Sequence, residues 1–227
     1  MLKRVLKLII GVLLIPACCG ASIALYHQFL SLHSINRAGW VFLAGIITYI
    51  VLYAASLKMT VLYIFGHEAV HALLAILYGG KIISFRISKQ GGGVVTNKVN
   101  TVISLGPYFI PFYTIVVTVS FLGARFFIPA VERYAAVFMY LLGLSTALHV
   151  FMTIDSLRVE QPDLTENGYV FSLAVMYGIN AGIISLMISS VFADAGFVLF
   201  VRDTADQSWQ IYKIIGGVFA RMTAAVT

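Results

Sequence analysis

Charge is what this sequence has least of. Only 11% of its 227 residues are Asp, Glu, Lys or Arg, against about 25% in a soluble globular domain. Hydrophobic residues make up 60% and mean hydropathy is +0.96. A soluble fold is excluded, and the composition predicts an all-α polytopic membrane protein with a single domain over residues 1–227. Cysteine is nearly absent: the only two, Cys18 and Cys19, are adjacent within an apolar run. That excludes a disulfide framework and a CxxC redox or metal motif, leaving both as small apolar residues. No polar segment carries a basic run interleaved with aromatics, so no nucleic-acid partner is expected. The net charge of +6 is instead assigned to loops and to contact with the lipid bilayer headgroups. There is no internal repeat and no low-complexity segment, and nothing in the sequence indicates an oligomeric state.

What is there is a series of long apolar runs. After Lys3, Arg4 and Lys7, the stretch Leu8 to Tyr26 is long enough to span a bilayer and reads as an uncleaved first helix. A polar turn follows from His27 to Arg37. Further spans are predicted at Trp40 to Leu57, Thr60 to Tyr78, Thr101 to Leu122 and Val131 to Ile154. The sixth starts near Tyr169. Its apolar stretch to Phe200 is either one long tilted helix or a helix followed by a break near Asp194-Ala195-Gly196. Six transmembrane helices put both termini on one side. The excess of Lys and Arg on that side is small, because Lys81, Arg86, Lys89 and Lys98 would then lie opposite.

Two segments do not follow this pattern. Between Lys81 and Lys98, Ile83, Phe85 and Ile87 alternate with Ser84, Arg86 and Ser88 before Gly91-Gly92-Gly93 and Val94-Val95-Thr96. That period of two around a glycine turn predicts a small membrane-associated β-hairpin. In the tail over 201–227, Trp209, Tyr212, Ile215 and Phe219 recur at helical spacing, the pattern of an amphipathic helix at the membrane surface.

The chemistry is concentrated in the third span, which contains Gly66-His67-Glu68-Ala69-Val70-His71, an HExxH sequence. On an α-helix, positions i and i+4 share a face, so His67 and His71 can address one ion. Two neutral imidazoles suit Zn²⁺. Glu68 follows His67 directly and is placed to take a proton from water whose pKa the zinc lowers to about 7. By chance such a match arises on the order of a few times in a thousand sequences of this composition. An acid and two imidazoles are also costly inside an apolar helix without a role.

A catalytic zinc needs a third protein ligand and one open position. The sequence offers His149, Asp155, Asp163, Glu132 and Asp194 in or beside the spans. Pro162 breaks helix geometry next to Asp163, which favours a carboxylate aimed inward. His149 is an alternative ligand, or a hydrogen-bonding neighbour of one. Asp155 and His149 lie six residues apart and do not share a helical face.

Taken together, these elements resemble the site-2 protease family of intramembrane zinc metalloproteases. Phe65-Gly66-His67-Glu68-Ala69-Val70-His71-Ala72-Leu73 looks like that family's membrane-embedded motif. Gly79-Gly80-Lys81-Ile82 is similar to its helix end leading into a hairpin. Ser104-Leu105-Gly106-Pro107 is similar to its Gly-Pro element, and Gln161-Pro162-Asp163 to its later Pro-Asp element. Leu164 follows that aspartate where the family usually has glycine, and Tyr108-Phe109-Ile110 follows Gly-Pro without the family's frequent asparagine. No PDZ-like segment is present, so the resemblance is to a compact branch. It covers roughly residues 60 to 180 and implies zinc held by His67, His71 and Asp163 with Glu68 as catalytic base. It further implies hydrolysis of peptide bonds in a transmembrane protein substrate. Two other classes stay open: a zinc-dependent membrane enzyme with a non-peptide substrate, and an inactive relative that binds membrane proteins.

Overall fold

A computed structural model describes residues 2–88, 90–192 and 194–224, without the side chains of Pro129 and Phe219. Lys89, one of the hairpin cations, and the last three residues of the tail lie outside the described residues, as does the Phe219 side chain of the amphipathic stripe. The fold is all-α and polytopic, with one small antiparallel sheet. The helices are α1 (Leu2–Leu30), α2 (Arg37–Ala54), α3 (Thr60–Leu77), α4 (Thr101–Leu105), α5 (Phe112–Phe127), α6 (Ala135–Ser156), α7 (Pro162–Asn167), α8 (Tyr169–Val191) and α9 (Phe197–Ala224). Strands β1 (Ile82–Ser88) and β2 (Gly91–Thr96) separate α3 from α4. Among the described residues, helices α1, α2, α3 and α8, and α6 with the turn before it, give 5 segments long and apolar enough to cross a membrane, or 6 if the bent pair of residues 101–108 and α5 is one span.

The expected fourth span is not a single helix. Residues 101–108 and α5 meet at an angle of 80°. Pro111 explains the bend: it has no N–H to continue a helix, and it disfavours helical geometry at Ile110. The chain therefore forms short α4, a 3₁₀ turn at Gly106–Tyr108, and then α5. The two arrangements open for residues 169–200 resolve into a break, since α8 ends at Val191 and α9 begins at Phe197.

The chain divides into two compact units, 36–164 and 1–35 with 165–227. In the first, α2 and α6 touch backbone to backbone. Gly45 lies on the Tyr140 carbonyl and Gly143 on the Phe42 carbonyl, with no room for a Cβ at either. Such close approach is how helices associate where no hydrophobic drive separates protein from lipid. Tyr49, Leu148 and Met152 form the buried core here, and Tyr63 and Met59 of the α3 segment pack against it. Asn36 and Asn100 cap α2 and α4 through their side-chain oxygens, at 2.8 Å from Gly39 N and 2.9 Å from Ile103 N.

In the second unit, α9 runs antiparallel to α1. His27 pairs with Asp203 at 2.7 Å, Gly20 lies against Ser208, and the Tyr212 hydroxyl donates to the Leu13 carbonyl. The tail predicted as a surface helix thus starts earlier, at Phe197, and applies one face to α1, leaving Trp209 and Ile215 exposed. Gln28 donates to Ser189 Oγ at 2.9 Å, joining α1 to α8.

The end of α3 sets up the hairpin. Gly79 adopts φ +76°, and Gly80 N donates to Ala75 O at 2.7 Å while Gly79 N donates to Ile76 O at 2.8 Å. This is the Schellman arrangement, which consumes the last helical carbonyls and turns the chain. Asn97 then closes the base of the hairpin, accepting from Lys81 N at 2.7 Å. The strands pair in the register Phe85↔Val94, Arg86↔Gly93 and Ile87↔Gly92, with an irregularity between Ile82 and Ser84.

Candidate metal centre

Three elements of the unit 36–164 meet at the site. Helix α3 supplies His67, Glu68 and His71; the loop before α7 and its first turn supply Gln161, Pro162 and Asp163; β2 closes one side. Ligand atoms of His67, His71 and Asp163 all lie within 4.8 Å of one another, the one such group found among the described residues. His71 Nε2 is 3.5 Å from Asp163 Oδ2. Two ligands on a tetrahedral zinc, each about 2.1 Å from it, stand about 3.4 Å apart, so this pair is already at metal spacing.

The histidines are oriented by their other nitrogens. His71 Nδ1 lies 2.8 Å from the Ile103 carbonyl. A carbonyl can only accept, so Nδ1 carries a proton, which leaves Nε2 as the nitrogen that could address an ion, the arrangement found behind metal-bound imidazoles. His67 Nδ1 lies 3.4 Å from the Tyr63 hydroxyl one turn earlier. Two imidazoles, neutral when they bind an ion, and a carboxylate are the donor types of a catalytic zinc with a fourth position left over. The residues present therefore fit the ion.

Glu68 points to β2 and is buried. A Cβ on Gly92 would sit 2.7 Å from Glu68 Cγ and 2.6 Å from Ile64 Cγ2. Only glycine lets the strand lie this close, and the same test at Gly93 meets nothing within 4 Å. The cavity, about 310 Å³, is lined by the histidines, Glu68 and Asp163 together with Gly92, Val94, Ser104 and Gln161.

The competing ligands are elsewhere. His149 shares a small cavity of about 20 Å³ with His67 and Tyr63 but does not join the metal-spaced group. Asp155 accepts from Tyr53 Oη and Lys58 Nζ, each at 2.6 Å, and pairs with Arg158 at 3.2 Å. That carboxylate ties the turn before α3 to the end of α6, and its hydrogen bond holds the Lys58 ammonium above the ordinary lysine range. Glu132 pairs with Arg125 at 2.6 Å.

Several contributors were not legible in the sequence. The Ile103 carbonyl and Gly92 act through tertiary contacts and Tyr63 through its place one turn before His67 on α3, and only the glycine triplet gave any signal of a close backbone approach. Comparison with family models, characterised proteins and solved structures finds no match to this chain.

Proposed function

We propose that this chain is an intramembrane zinc metalloprotease that hydrolyses peptide bonds in transmembrane or membrane-proximal segments of a protein substrate. The observation that carries the reading is the convergence of His67, His71 and Asp163 at metal spacing in one cavity with Glu68. When bound, zinc would polarise the scissile carbonyl and acidify a water molecule. His67 and His71 would hold it through nitrogens on one face of α3, with Asp163 completing the set. Glu68 accepts the proton from the attacking water and delivers it to the leaving amine, so it is regenerated in each cycle.

A helical substrate has its amides already paired, so it must unwind to present one. The hairpin is placed to receive it, and β2 is the strand beside the site, because Gly92, Gly93 and Val94 line the cavity. Among the described residues neither strand has a second strand on its outer side, and an extended segment can add there by main-chain hydrogen bonds. The test is cleavage of a transmembrane reporter by purified protein, with Glu68→Gln as control. Cleavage by wild type and none by the variant supports the reading. Zinc-dependent turnover of a lipid-like substrate with an uncut reporter would favour the non-peptide class.

A further inference from the structure

Asp163 lies in the first turn of a short helix. Helix α7 has six residues, too few for stability on its own, and the Asp163 side chain is 30% exposed. A carboxylate in that position has rotamers that turn away from the histidines. Tyr108 supplies the restraint. Its side chain is completely buried, at 0% exposure. Its hydroxyl lies 3.3 Å from Asp163 Oδ2 and 3.2 Å from Gln161 Oε1. Both neighbours are acceptors, and a phenol has one proton to give. A carboxylate is the stronger acceptor of the two.

The phenol is itself fixed relative to α3. The Tyr108 ring meets the His67 ring edge-on at 4.9 Å and 86°. Its backbone belongs to the Gly106–Tyr108 turn, where Ile110 N donates to Gly106 O at 2.8 Å. Gly106 in turn lies against Leu74 and Val70, leaving no space for a Cβ. The helix that carries both histidines therefore also fixes the hydroxyl that addresses the carboxylate.

Resting on the metal-centre reading above, we infer that Tyr108 is a positioning residue: its hydroxyl aims Asp163 at His67 and His71, and the affinity of the site for metal depends on it. Tyr108→Phe keeps the ring and its contact with His67 and removes only the donor. Groups that orient a metal ligand from behind are typically worth about 10- to 100-fold in metal affinity.

The experiment uses the full chain in detergent, with Zn²⁺ titrated against a chromophoric chelator and Co²⁺ as a spectroscopic probe. Tyr108→Phe should bind Zn²⁺ about 10- to 100-fold more weakly and change the visible Co²⁺ bands. In an Asp163→Ala background, the same substitution should add less than about 2-fold, because the group it acts through is gone. Tyr108→4-aminophenylalanine, which keeps a donor at that place, should restore affinity; it also serves as the test should the Phe variant fail to fold. Unchanged affinity and Co²⁺ spectrum in Tyr108→Phe would overturn the inference. So would an equal loss in the Asp163→Ala background, which would mark a fold effect, or a folded 4-aminophenylalanine variant with weak binding. A wild-type protein that binds no metal, or an Asp163→Ala variant that binds as tightly as wild type, would instead remove the metal-centre reading beneath it.

Discussion

Glu68 and Gly92 are the residues on which the chemistry is most sharply divided. Glu68→Gln keeps the shape of the side chain but cannot accept a proton, so cleavage should fall by at least about 10²-fold while bound zinc stays at the wild-type level by metal analysis. At Gly92, added volume meets Ile64 and Glu68, whereas Gly93 is open. Gly92→Ala should therefore destabilise the hairpin by about 1–3 kcal/mol and reduce cleavage, whereas Gly93→Ala should leave the stability of the hairpin unchanged; limited proteolysis of the hairpin reads the stability of both and the reporter assay reads the cleavage. His67, Glu68 and His71 were legible in the sequence because their spacing is local to one helix. Tyr108 and the Ile103 carbonyl were not, because each reaches the site only where the 101–108 segment packs against α3. Asp163 stood between these cases: Pro162 marked a break, but only the fold separates Asp163 from Asp155, whose carboxylate is taken by Lys58 and Tyr53.

At the scale of elements, the hairpin was readable from its alternation and glycines, and its observed limits lie inside the expected Lys81 to Lys98. The 80° bend was not read, although both prolines were visible; a span's hydropathy says nothing of its direction. The turn joining α2 to α3 is held to α6 by the Lys58 and Asp155 pair. Because Lys58 gains its proton affinity in the folded state, its contribution is complete at neutral pH and is lost only as pH rises through the raised lysine range. Lys58→Met should therefore lower thermal stability only modestly, as for other exposed pairs, and by the same amount at pH 6 and pH 8. A loss that differs between those two values would contradict this account of the turn.

At the scale of the whole molecule, low charge and long apolar runs gave the polytopic class, but the division into two units and the antiparallel packing of α9 on α1 depend on glycine and hydroxyl contacts that no periodicity reveals. The apolar segments predict a defined labelling pattern in lipid vesicles. Cysteines placed at Val51 or Val119, both exposed on apolar helices, should resist a water-soluble maleimide, and one at Lys98 should react. The claim that everything else depends on is that α3 and α7 build one metal site. Its most direct test is the zinc content of the purified chain and of four single variants. The account predicts about one zinc per wild-type chain, strong loss in His67→Ala, His71→Ala and Asp163→Ala, and retention in His149→Ala. Equal zinc in wild type and the His67 and His71 variants, or loss in His149→Ala with retention in Asp163→Ala, would contradict it.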